Sequence, residues 1–202
     1  MNITETEKLV TNLLRRVITR MILHPEDLVI STRLSQTSIN LKLQAQVSDT
    51  GKIIGERGSM FNALKAICLT MGQRYGVTIL LGRIEEPEDG QKDEFTRFKL
   101  NDQWKYEFET VDRQLLELVC THTFKGDSTV TSSEIGKGET QFDILVARDE
   151  QARPCQAMQE SLQTIFTAIG KAQGRLIYIT INPGLAATGP GQQPVTSRGR
   201  FA

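Results

Sequence analysis

The stretch Gly51-Lys52-Ile53-Ile54-Gly55-Glu56-Arg57-Gly58-Ser59-Met60 decides how this chain is read. It joins an alternating segment on its N-terminal side to an amphipathic one on its C-terminal side. Two glycines three positions apart let the backbone turn tightly with no side chain in the way. The backbone of a nucleic acid can then come close to the main chain. The N–H groups that open the following helix have no partners within it, and together with the helix dipole they favour phosphate oxygens. Lys52 and Arg57 add positive charge there. Ile53 and Ile54 are expected to support the floor of a groove where bases lie, with Leu41 or Leu43 of the preceding strand, and Met60 is expected near the bases. Gly-Lys-Ser/Thr is missing at the required spacing, so the loop is not a P-loop.

Working outward, residues 4–22 read as an amphipathic helix, with Leu9, Val10, Leu13, Leu14, Val17, Ile18 and Met21 at three- and four-residue steps. Thr4 and Glu7 suggest a capping box, and Pro25 breaks the pattern. Residues 28–34 and 38–47 read as strands, the second with Ile39, Leu41, Leu43 and Ala45 alternating against polar neighbours. Ser48-Asp49-Thr50 starts a short helical turn before the loop. Residues 59–75 form a second long helix, stopped by Gly76, and 77–81 form a short strand. The order then recurs: helix 111–124, a hairpin of 129–135 and 140–146 across Gly136-Lys137-Gly138, helix 154–173 and strand 176–181. The expected class is α+β, with an α-β-β-α-α-β domain at 1–84 and a second α-β-β-α-β domain at 105–182. An acidic linker at 85–104 joins them, and a disordered tail at 183–202, rich in Gly, Pro, Ser and Gln, follows.

The run Ile53-Ile54-Gly55-Glu56-Arg57-Gly58 resembles the I-I-G-x-x-G signature of KH domains, whose GXXG loop clamps single-stranded nucleic acid. From His24-Pro25-Glu26-Asp27 to Leu81 the chain resembles the small bacterial single-KH RNA-binding proteins, and the element order resembles the type II arrangement, helices on a three-stranded sheet. The resemblance covers residues 5–84. It implies that Lys52, Ile53, Ile54, Gly55, Glu56, Arg57, Gly58, Ser59 and Met60 contact single-stranded RNA, in a post-transcriptional regulator or RNA chaperone. Glu56 departs from the pattern, because such loops often carry a basic residue there, and it implies modest affinity. Gly55→Asp with Gly58→Asp is expected to abolish binding and leave the fold intact. The position in the second half that corresponds to the loop falls near Cys155-Gln156-Ala157-Met158, which has no glycine, so that half is expected to be a degenerate KH-like copy. It would pack against the first half, dimerise or hold a protein partner. The competing reading is an interaction module that uses KH folds to regulate a larger assembly.

Bulk properties agree with either reading. The 202 residues carry 24 basic and 24 acidic side chains. They divide unevenly: residues 1–84 hold 11 Lys+Arg against 6 Asp+Glu, and the remainder hold 13 against 18. Aromatic residues make up only 6%, which argues against a sheet that stacks bases on rows of Phe and Tyr. The N-terminus does not read as a signal peptide, and no run approaches a membrane span. Cys68, Cys120 and Cys155 are scattered, so a reducing, cytoplasmic setting is expected. Neither His24 nor His122 has a spacing that points to a triad or a metal site, so no enzyme, metal or cofactor is expected.

Overall fold

The computed structural model describes residues 2–85, 108–147 and 152–183. The expected linker and tail lie outside these residues, apart from Glu85 and Pro183.

Helix α1 (Ile3–Ile18) buries Val10, Leu13, Leu14, Val17 and Ile18 along one stripe. Its capping box lies two residues earlier than the Thr4–Glu7 pair. The Glu5 N–H donates to the Asn2 side chain at 2.8 Å, and the Asn2 N–H donates to Glu5 Oε2 at 3.0 Å. The helix stops four residues before 22. The N–H groups of Arg20 and Met21 turn to the Val17 and Ile18 carbonyls, while Met21 and Ile22 stay buried. The apolar period therefore outlasts the helical geometry.

Strands β1 (Val29–Leu34), β2 (Ser38–Gln44) and β3 (Thr78–Glu85) form a sheet in that order. Central β2 runs antiparallel to β1 and parallel to β3. A parallel pair needs a crossover, supplied here by α2 (Val47–Ile54) and α3 (Ser59–Tyr75). Helix α2 is longer than the turn expected at 48–50, and it takes in Lys52, Ile53 and Ile54. Ile39, Leu41 and Leu43 point into the core. Gly72 lets α3 rest on the start of β3, since a Cβ there would lie 2.5 Å from the Val77 carbonyl oxygen.

A second unit repeats this plan with α4 (Phe108–Thr123), β4 (Ser128–Gly136), β5 (Glu139–Val146), α5 (Ala152–Gln173) and β6 (Leu176–Pro183). Its sheet has the order β4-β5-β6, antiparallel then parallel. Gly170 is the counterpart of Gly72, with a Cβ position 2.7 Å from the Arg175 carbonyl oxygen. Ser38 pairs with Thr78 and Glu139 with Leu176, so the central strands are 101 positions apart and the last strands 98. The second unit is thus three residues shorter between the two. By this spacing Gly55–Gly58 corresponds to 153–156, which lie inside α5, two residues earlier than the sequence alone places them.

The layers run sheet, helices, helices, sheet, with α3 packed on α5 and α4, and α1 on α4. The buried side chains of both units form one cluster. A polar seam crosses it. Asp112 of α4 is fully buried and meets Arg20 at 2.5 Å and Arg175 at 3.4 Å. Both guanidinium groups also lie over the Phe108 ring, at 5.5 and 5.9 Å. Burial pushes the Asp112 carboxyl up from its ordinary value, and the two arginines only partly offset this. Towards the other end of α4, the Tyr75 hydroxyl and His122 Nδ1 share a 2.5 Å hydrogen bond. The helical layers of the two units therefore cover each other.

Candidate functional site

The loop is built between two helices that meet at Gly55–Gly58. Helix α2 is anchored by Asp49, which is fully buried. Its carboxylate accepts the N–H groups of Leu23 and His24, each at 2.8 Å, and the Lys52 ammonium at 3.0 Å. Burial alone would raise this carboxyl. The Leu23 amide, Lys52 and the His24 amide together outweigh it and hold the group below its ordinary value. One acid thus fixes the His24–Asp27 turn to the helix that carries the loop. The Gln46 side chain, just before α2, donates to Asp27 and braces the same junction.

Helix α2 ends at Gly55 (φ 74°, ψ 173°), followed by a single tight turn, Glu56–Gly58. Arg57 sits at φ 52°, and Gly58 at φ 79° leads into α3. Three of the four loop residues therefore have positive φ. For Arg57 this is a strained conformation costing on the order of 1 kcal/mol. Gly55 is required twice over, because a Cβ there would also lie 2.6 Å from Met60 Cβ. At Gly58 the nearest atom to a Cβ is Asn62 Nδ2, at 3.9 Å. Gly55→Asp would therefore disturb the start of α3, and the double variant does not separate binding from folding. Gly58→Asp does.

The first turn of α3 has no side-chain cap and no acidic residue. The Ser59 N–H bonds the Glu56 carbonyl, and the rest of the turn lies beside Gly58 at the positive end of the helix dipole with no side chain over it. Of the nine residues the sequence singles out, Ile54, Glu56, Arg57 and Ser59 are exposed, and Lys52, Gly55 and Gly58 are half-buried. Ile53 and Met60 lie in the core, as do Leu41 and Leu43, so these four support the site from beneath and do not form its surface. Lys52 divides its charge between solvent and Asp49. Val47, 67% exposed and seven residues before Ile54 on α2, adds apolar surface that the sequence reading missed.

Other reactive side chains are occupied structurally. Burial pushes the Cys68 and Cys120 thiols up to about 12, which suits core residues and not nucleophiles. Donor atoms of His24, Glu26 and Asp27 come within 4.8 Å of one another, a grouping the sequence spacing did not suggest. They belong to the turn that Asp49 clamps. No helix among the described residues is long and apolar enough to cross a membrane.

The antiparallel-then-parallel sheet, the paired crossover helices and the glycine loop between them define a type II KH domain in the first unit. The KH domain of the KhpA/KhpB family matches residues 11–80. The protein named RNA-binding protein KhpA in Listeria monocytogenes is 30% identical over 73 residues, 36% of this chain and 96% of that relative. The KhpA of Bacillus subtilis is 28% identical over 67 residues, 33% of this chain and 83% of its own length. The chain belongs to the KhpA/KhpB KH-domain family. The family match ends before the second unit begins. No solved structure matches this chain.

Proposed function

We propose that this protein is a non-enzymatic, cytoplasmic RNA-binding protein that holds single-stranded RNA at Gly55–Gly58, in post-transcriptional regulation or as an RNA chaperone. The observation that carries the reading is the uncapped N-terminus of α3 behind a loop held at positive φ. Backbone N–H groups there can take phosphate oxygens, and no side chain competes for them. Arg57 supplies charge at the loop tip, and Lys52 does so in part. Ile54 and Val47 supply exposed apolar surface for bases, which suits a chain poor in aromatic residues. The name shared by the relatives points to the same ligand class. Our reading divides the chain into the KH domain, the acidic linker, the degenerate KH-like unit and the tail.

Gly58→Asp tests this. Aspartate tolerates the left-handed region better than most residues, so the unfolding transition should stay within about 1 kcal/mol of the parent. Affinity for a single-stranded RNA oligonucleotide should fall at least tenfold. The parent's binding should weaken with salt, with a slope of about −0.7 per phosphate neutralised. Unchanged affinity in Gly58→Asp would overturn the proposal.

A further inference from the structure

In the second unit, α5 side chains reach the outer edge of the last strand. Gln163 Nε2 donates to the Ile177 carbonyl at 2.8 Å, and Gln163 Oε1 accepts the Ile179 N–H at 2.7 Å. One helical turn earlier, Gln159 Oε1 accepts the Ile181 N–H at 3.0 Å. These backbone groups point away from β5. Strand β6 turns its alternate residues towards that neighbour, beginning with the Leu176 N–H on the Gly138 carbonyl at 2.9 Å. An edge strand normally leaves its outward groups to solvent or to an incoming chain. Here two glutamines fill them.

The first unit has the same geometry with different residues. The Thr78 N–H bonds the Thr37 carbonyl at 2.9 Å, as Leu176 bonds Gly138. Gly72 rests on Val77 as Gly170 rests on Arg175. The 98-residue spacing puts Lys65 where Gln163 stands and Phe61 where Gln159 stands. Lysine has no acceptor and phenylalanine no hydrogen-bonding group. Lys65 Nζ instead lies 4.7 Å from the centre of the Phe61 ring. The outward Ile79 carbonyl and Leu81 N–H meet no side-chain partner among the described residues.

We infer that Gln159 and Gln163 seal the outer edge of β6, a slot that the first unit leaves open. The occupant of the sealed slot is the chain itself. A carboxamide offers an adjacent donor and acceptor, as a nucleobase edge and a peptide strand also do. The same pair therefore shuts out both. The second unit then lacks the glycine loop and, independently, a free strand edge. The inference rests on the RNA reading only for the ligand assigned to the open edge.

Amide hydrogen exchange on the full chain, followed by NMR without RNA, tests the seal. The Ile179 and Ile181 amides should exchange at least tenfold more slowly than that of Leu81. Gln159→Leu with Gln163→Leu, which keeps side-chain bulk and removes the hydrogen bonds, should abolish most of that difference. Equal rates in the parent protein overturn the inference, even if the double variant fails to fold. So does protection that persists in a folded double variant. A single-stranded RNA oligonucleotide is then titrated in. Shifts at Ile179 and Ile181 of the parent would also overturn the seal, whereas loss of binding at the Gly55–Gly58 loop would overturn the RNA reading and leave the exchange rates to decide the seal.

Discussion

Between its central strand and its last strand the first unit is three residues longer than the second. That difference falls where α2, the loop and α3 stand in one unit and α5 stands in the other. Helix α5 has 22 residues against 17 in α3, and it runs through the positions that correspond to Gly55–Gly58. Strand β3 also has a register shift opposite Leu41–Leu43, whereas β5 and β6 pair without interruption. The second unit forms the same sheet and the same helix-on-strand contact with an unbroken helix. The strained loop is therefore not needed for the fold. Strain kept where the fold does not require it is the kind of feature that motivates the proposed site, and the regular unit beside it acts as an internal control.

The comparison assumes that the two units stand or fall together, and Asp112 tests this most severely. Asp112→Ala leaves Arg20 and Arg175 largely buried without their anion. It should cost about 3 kcal/mol, the lower end for breaking a buried ion pair, because both guanidinium groups keep some exposure. Urea denaturation should still give one transition, shifted for probes in either unit. Two separated transitions would break the comparison. A matched pair comes next in size. Gly72→Ala and Gly170→Ala each force a Cβ against a backbone carbonyl. Each should cost about 1–3 kcal/mol, and the two values should agree if the helix-on-strand contacts are equivalent.

The two buried aspartates, one in each unit, should respond to acid with opposite signs. Asp49 titrates in the fold below its ordinary value of 3.8. Its contribution is complete above that value and is lost as pH falls through it towards the folded one. Asp112 titrates above 3.8. Its contribution is present below 3.8 and is lost as pH rises through its folded value. Asp49→Asn should therefore flatten the loss of stability on acidification, and Asp112→Asn should steepen it. Urea midpoints between pH 3 and 6 would check both directions.

How much of this could be read from the sequence follows from which signals are local. The alternation at Ile39–Leu43, the stripe of α1 and the two glycines of the loop are short-range patterns, and they gave the type II order and the repeat. That Ile53 and Met60 are core residues was not legible, because their burial depends on how α2 is seated against the rest of the unit, and Asp49 holds that helix by reaching back to Leu23 and His24. Nor was the seam between the units, which joins Arg20 to a residue 92 positions away. Gln159 and Gln163 look like ordinary solvent-facing helix residues until β6 is placed beneath them. Asp49 did carry a faint signal, as an acid in the first turn of a helix next to a polar turn.

The smallest expected effect concerns the one loop residue that departs from the family pattern. Glu56 is exposed and places a carboxylate next to the N–H groups proposed to take phosphate. Glu56→Gln keeps the shape and removes the charge. At low salt the gain in RNA affinity should be about two- to fivefold, the scale of a single solvent-screened charge interaction. The gain should shrink as salt rises, because a charge on a solvated loop is screened within about 10 Å at 0.1 M. Gln156→Glu, in the α5 segment that corresponds to the loop, should change affinity by less than twofold, since that segment is helix. Affinities of both variants measured across a salt series would settle it. Equal effects at the two positions would mean that RNA responds to the overall charge of the molecule, and the contrast between a clamping unit and a closed one would fail.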